Sequence, residues 1–186
     1  MAPHSARDDV IDALVERLSD QDSDVRCEAA SALGQMAPHS ARDDVIDALV
    51  ERLRDEDEYS SVRLAAAEAL GEMTLHSARD DLIDALVKKL SDEDWRVRET
   101  AALALGEMAP HSARDEVVDA LVERLSDKDQ FVRERAAMAL GKMAPHSARD
   151  DVIDALVERL SDVDDFVRGA AAWALGEMAP HSALSL

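Results

Sequence analysis

Residues 94–108 read DWRVRETAALALGEM, a stretch of the form D-x-x-VR-x-x-AA-x-ALG-x-M that stands in the same form at Asp22–Met36. In the earlier copy Asp22 is placed to cap a helix running from about Ser23 to Met36, because a carboxylate at that position accepts from an otherwise free amide of the first turn. The alanines allow close packing, and Pro38 marks the end, since proline cannot continue a helix. Just upstream, Val10, Ile11, Leu14, Val15 and Leu18 fall on one face at helical spacing, with Asp8, Asp9, Asp12, Glu16 and Arg17 opposite. A first helix from about Ala6 to Leu18 follows, with Ser5 and Asp8 as an S-x-x-D start signal.

The pair of helices repeats along the chain. The phrase HSA recurs with histidines at His4, His39, His76, His111, His146 and His181, so the spacings are 35, 37, 35, 35 and 35. Five units fill residues 5–38, 39–75, 76–110, 111–145 and 146–180, and a tail occupies 181–186. The longer spacing comes from two extra residues where RDEDEYSSVR replaces SDQDSDVR. One such unit has too little apolar surface to fold alone, so stability has to come from stacking neighbours. The expectation is a single all-α domain of ten antiparallel helices.

The turn-plus-helix phrase resembles HEAT-like repeats, in particular the short kind found in phycobilisome-lyase-type proteins. That resemblance covers the chain and implies an α-solenoid, a right-handed superhelix of five two-helix HEAT-like repeats whose second helices line a concave groove. It also implies that a turn aspartate and an early arginine of the second helix link adjacent repeats. The matching positions are Asp22, Asp94, Asp129 and Asp164, with Arg26, Arg63, Arg98, Arg133 and Arg168. In the second unit the insertion after Asp57 leaves the matching aspartate open.

Comparing the five copies with one another separates stacking from function. Counted from the valine of each second helix (Val25, Val62, Val97, Val132, Val167), positions 1, 2, 5, 6, 8, 9, 10 and 12 never vary. Positions 0, 3, 4, 7 and 11 all vary, and at about 100° per residue they share an arc of roughly 100°. Constant positions serve stacking, so the varied stripe faces away from it. All five aromatic residues, Tyr59, Trp95, Phe131, Phe166 and Trp173, lie on or just before that stripe. Its N-terminal end is polar (Asp24, Glu28, Ser31, Glu68) and its C-terminal end apolar. The candidate partner-binding residues are therefore Trp95, Arg96, Glu99 and Leu103, then Phe131, Glu134, Arg135 and Met138, then Phe166 and Trp173. The expected partner is another protein or a peptide, held without a cofactor.

Composition closes off other classes. With 41 acidic and 21 basic side chains the net charge is −20, which opposes binding to a phosphate backbone. The apolar runs are far shorter than the roughly 20 residues that cross a bilayer. The single cysteine, Cys27, forms no internal disulfide, so a reducing, cytoplasmic setting is expected. Each histidine occupies the same inter-repeat loop, about 10 Å from its next copy for packed helices, whereas zinc needs ligands near 2 Å from one point. Asp20, Asp22 and Asp24 imitate a calcium loop, but Val25 and Ser31 stand at its glycine and glutamate positions. The resemblance leaves one catalytic alternative, a bilin lyase or tetrapyrrole-binding chaperone in which Trp173 and Phe166 stack on the ligand and Arg96 or Arg135 meets its propionates. Finally, the outermost helices keep the apolar residues of their internal copies, which points to end-to-end self-association or a longer array.

Overall fold

The computed structural model describes residues 3–37, 39–55, 58–73, 80–109 and 111–182. Among these the chain forms ten α-helices and no strand: α1 Pro3–Arg17, α2 Ser23–Gln35, α3 Asp43–Arg54, α4 Ser60–Met73, α5 Asp80–Lys89, α6 Trp95–Glu107, α7 Asp115–Arg124, α8 Gln130–Lys142, α9 Asp150–Arg159 and α10 Asp165–Ser182. The architecture is the all-α solenoid expected from the repeats. Two compact units are distinguished, residues 1–85 and 86–186, with the division passing through α5.

In the first unit α1 packs on α2, α3 on α4, and α2 on α4. Ile46, Leu49, Leu53, Leu33 and Leu70 fill the space between them. In the second unit α7 packs on α8, α9 on α10, and the even-numbered helices lie side by side in the order α6, α8, α10. Leu105, Leu121, Leu140, Leu156 and Met178 form that core. The even helices approach closely because position 10 is glycine. A Cβ on Gly34 would stand 2.9 Å from the Cα of Ala69, one on Gly106 3.1 Å from that of Ala139, and one on Gly141 2.9 Å from that of Ala174.

Each S-D-x-D turn is built from its own carboxylates. Asp20, Asp127 and Asp162 accept the amides of Asp22, Asp129 and Asp164 at 3.0 Å, closing an Asx turn. The second aspartate then caps the helix: Asp22 accepts from the Asp24 amide at 2.8 Å, Asp94 from Arg96 at 2.9 Å, Asp129 from Phe131 and Asp164 from Phe166 at 3.0 Å.

Three sequence expectations are corrected. The serine of HSA does not start the first helix. Ser40, Ser112 and Ser147 are fully buried and donate backwards, to the carbonyls of Leu33, Leu105 and Leu140 at 2.6–2.7 Å. They seal the last turn of the preceding helix, whose final carbonyls lack intrahelical partners. The following helices begin later, at Asp43, Asp115 and Asp150, after arginines that make no side-chain cap. Secondly, the aspartate that links repeats is the outer one of the turn. Arg98 grips Asp127 (Nε 2.9 Å, Nη2 2.8 Å) and Arg133 grips Asp162 (both 2.9 Å), while Asp129 and Asp164 serve as helix caps. In the second repeat Glu58 takes this place, receiving Arg26 at 2.8 and 2.6 Å. Thirdly, the expectation that proline ends the second helix, read at Pro38, does not carry over to its copy Pro180, because α10 continues through Pro180 to Ser182. Ser5 has no described side chain, and Pro38, Asp57 and His76 lie outside the described residues.

Candidate partner-binding surface

The ten candidate residues chosen from sequence all fall in the second unit, on α6, α8 and α10. Because these helices lie side by side, their varied positions share one surface. At the start of α6 and α8, the Trp95 and Phe131 rings stack with centroids 5.4 Å apart and planes 23° from parallel. Phe131 nonetheless stays exposed, as do Leu103, Phe166 and Trp173. Trp173 lies over α8, and its ring occupies the place that a Cβ on Gly141 would need, 2.6 Å away. The indole is thus held from below by a bare helix backbone while 41% of the residue remains in solvent.

The charged candidates are already engaged. Arg96 folds onto its own cap Asp94, with Nε–Oδ1 3.1 Å and Nη2–Oδ2 2.7 Å. Arg135 reaches from α8 to Glu99 on α6 at 3.4 Å, lies 3.9 Å from Glu134, and points Nη1 at the Met138 sulfur, 3.6 Å away. These half-buried contacts link α6 to α8 and leave the aromatic and aliphatic side chains as the uncommitted part of the surface. Phe166 is not part of the stacked pair.

The candidate set omitted a second feature, which belongs to the first unit. Between α2 and α4 runs an open groove of about 620 Å³, lined by Ser31, Gly34, Gln35, Ala37, Ala65, Glu68, Ala69 and Glu72. Five of these lie on the varied stripe, Ser31, Gln35, Glu68 and Glu72 at positions 7 and 11 and Ala65 at position 4. The sequence signal for this groove is the variation at positions 7 and 11, which here are polar and carry no aromatic residue. Cys27, also on this stripe, is unsuited to nucleophilic work. Burial raises its pKa, and Glu28, Asp24 and Glu68 raise it further.

Among the described residues no three His, Cys, Asp or Glu side chains converge as metal ligands, and no described helix is long and apolar enough to cross a membrane. His39, His111, His146 and His181 are all exposed.

A profile for HEAT repeats matches residues 3–71, 46–141 and 83–176. The chain belongs to the HEAT-repeat family. None of the curated proteins matches it in sequence. Among solved structures it is similar to an engineered protein at 28% identity, with a TM-score of 0.74 over 91% of this chain and 79% of the other. It is also similar to the CpcE–CpcF complex of phycocyanin lyase from Nostoc sp. PCC7120, at 23% identity and TM-score 0.75, covering 91% of this chain and 65% of that one. A designed armadillo repeat protein in complex with the peptide (KR)4 shares 23% identity and a TM-score of 0.69 over 88% and 80% of the two chains. The last two likenesses, both below 25% identity, speak for the fold alone.

Proposed function

We propose that this HEAT-repeat protein is a binding scaffold that uses the varied stripe of its second helices to hold a protein or peptide segment. The observation that carries this reading is the confinement of exposed Phe131, Phe166, Trp173 and Leu103 to stripe positions, while the invariant valine, leucine and alanine positions of the second, third and fourth repeats are devoted to the core. Aromatic side chains held rigidly at a surface give large contact area at small entropic cost, the character of interface anchors. In the first unit Glu68 and Glu72 line the α2–α4 groove, which suits lysine or arginine side chains of the ligand. The designed armadillo neighbour, solved with a (KR)4 peptide, offers a parallel for such a basic segment.

The test is a peptide library panned against the whole chain, with selected peptides then titrated against variants. Trp173→Ala and Phe166→Ala should each weaken binding by about 1 to 3 kcal/mol, or roughly 5- to 150-fold, without unfolding the protein. Unchanged affinity with a lowered melting temperature would instead make these side chains part of the packing.

The fold likeness to phycocyanin lyase subunits keeps a tetrapyrrole-binding reading in view. Arg96 and Arg135, the cations suited to propionates, are already paired with Asp94 and Glu99, which weighs against it. Mixing the protein with bilin should leave the visible absorption band unshifted; a stoichiometric shift abolished by Trp173→Ala would reverse the preference.

A further inference from the structure

The repeats inside the chain show what each face of a repeat is shaped to meet, and two such faces have no partner among the described residues. On the last repeat, Leu160 is 41% exposed, whereas its copies Leu18 and Leu125 are 1% exposed. Gly176 has nothing within 4 Å of the position a Cβ would take, although Gly34, Gly106 and Gly141 each press against an alanine at position 8 of the next second helix. Arg168 makes the same two backbone contacts as Arg98 and Arg133, donating Nη1 to the Asp162 and Val163 carbonyls at 2.8 and 3.2 Å. Its Nε–Nη2 edge, the edge with which Arg98 and Arg133 grip a carboxylate one repeat on, has no acceptor among the described residues.

The first repeat displays the complementary parts. Val10 is 50% exposed and Val25 37%, while their copies Val45, Val152, Val62 and Val132 are 0% exposed. Asp20 is the copy of Asp127 and Asp162. One of its oxygens closes the turn, and its side-chain cation is the exposed Arg17 at 3.5 Å rather than an arginine from a preceding repeat. Arg17 itself is the copy of Arg124 and Arg159, which donate to the Leu90 and Leu125 carbonyls of the preceding repeat at 2.8 and 3.0 Å. The matching carbonyl for Arg17 is that of Leu160.

We propose that the last repeat of one chain docks onto the first repeat of a second copy in the register of the internal repeats. Arg168 then grips Asp20, Arg17 donates to the Leu160 carbonyl, and Ala32 seats against Gly176. Leu160 becomes covered in the same step. The partner is a second copy because the required set stands together on this chain's own first repeat: an alanine at position 8, an outer turn aspartate whose side-chain cation among the described residues is only the exposed Arg17 of its own repeat, and that arginine, which bonds no carbonyl of a preceding repeat. The contact is heterologous, so each docked copy offers a further free face and mass grows beyond the dimer. This surface is separate from the stripe proposed for ligand binding, and the two readings fail independently.

The test is sedimentation and light scattering on the whole chain up to about 1 mM, at about 0.15 M salt, where the net charge is largely screened beyond about 8 Å. The parent's weight-average mass should rise to at least about double that of the monomer. Gly176→Leu fills the notch at a position open in the isolated chain, so it should keep the melting temperature and remain monomeric. Arg168→Asp and Asp20→Arg should each abolish the growth alone and restore it when mixed, because the reversed pair meets across alternate copies. A monomeric parent overturns the proposal. So does a parent whose association survives Gly176→Leu, or a pair of charge variants that does not recover on mixing.

Discussion

Gly34 and Gly169 are both helical glycines with opposite surroundings. At Gly34 a methyl group would meet the Ala69 backbone at 2.9 Å, and neither backbone can move without separating α2 from α4. Gly34→Ala should therefore destabilise the protein by about 1 to 3 kcal/mol, as overpacking does, despite alanine's better helix propensity. At Gly169 nothing lies within 4 Å, so Gly169→Ala should stabilise by about 1 kcal/mol through reduced backbone freedom in the unfolded chain. Chemical denaturation of the two variants measures both. Equal responses would mean that close approach of the helices does not explain the invariant glycine at position 10.

At the level of elements, the loops after α2, α6 and α8 are each tied by one buried hydroxyl. Ser147 donates to the Leu140 carbonyl at 2.6 Å and is completely out of solvent. Ser147→Ala leaves that carbonyl buried without this donor, so a loss of about 1 to 3 kcal/mol is expected. The loss should appear as faster amide exchange at the end of α8 and in the 143–149 turn, with α6 little affected. A uniform loss of protection across the second unit would show instead that the hydroxyl holds the whole stack. The arginine–carboxylate ties act at the same scale: each arginine organises its own turn through two carbonyls and the next repeat through a bidentate pair.

For the molecule as a whole, two electrostatic effects oppose each other as acid is added. The net charge of −20 favours partial protonation, since self-repulsion falls towards the isoelectric point near 4.5. Against this stand the carboxylates of the inter-repeat pairs. Arg133's hydrogen bonds hold Asp162 below the usual carboxylate range in spite of burial. At Asp127 and Glu58 burial pushes upward, but Arg98 and Arg26, with the neighbouring amides, outweigh it and the net shift is downward. A pKa depressed in the folded state gives stability that is present above the unfolded value and lost as pH falls through the folded one. The melting temperature should accordingly hold or rise from pH 7 to about 5 and drop steeply below about 4. Asp162→Asn should lower the neutral-pH value and flatten the acid limb in thermal melts; an unchanged acid limb would place the sensitivity in other carboxylates.

Period, helix count and repeat family were legible in the sequence because they follow from local spacing: five copies of one phrase admit one helical pattern. The Asp22 and Asp94 caps were legible for the same reason, since a cap bonds an amide two residues away. The varied stripe was also readable, because the copies disagree only where packing does not dictate the residue. What lay beyond the sequence were contacts whose partners are about thirty residues apart or lie on the far side of a turn. The choice of Asp127 over Asp129 depended on which carboxylate the stacking brings within reach of Arg98, and the backward reach of Ser147 on where the preceding helix ended. Likewise, only packing showed that Arg96 and Arg135 are already paired while Gly176, identical in sequence to its buried copies, faces open space. Chemical identity fixes what a side chain is able to do, and the tertiary structure decides which of its possible partners is within reach.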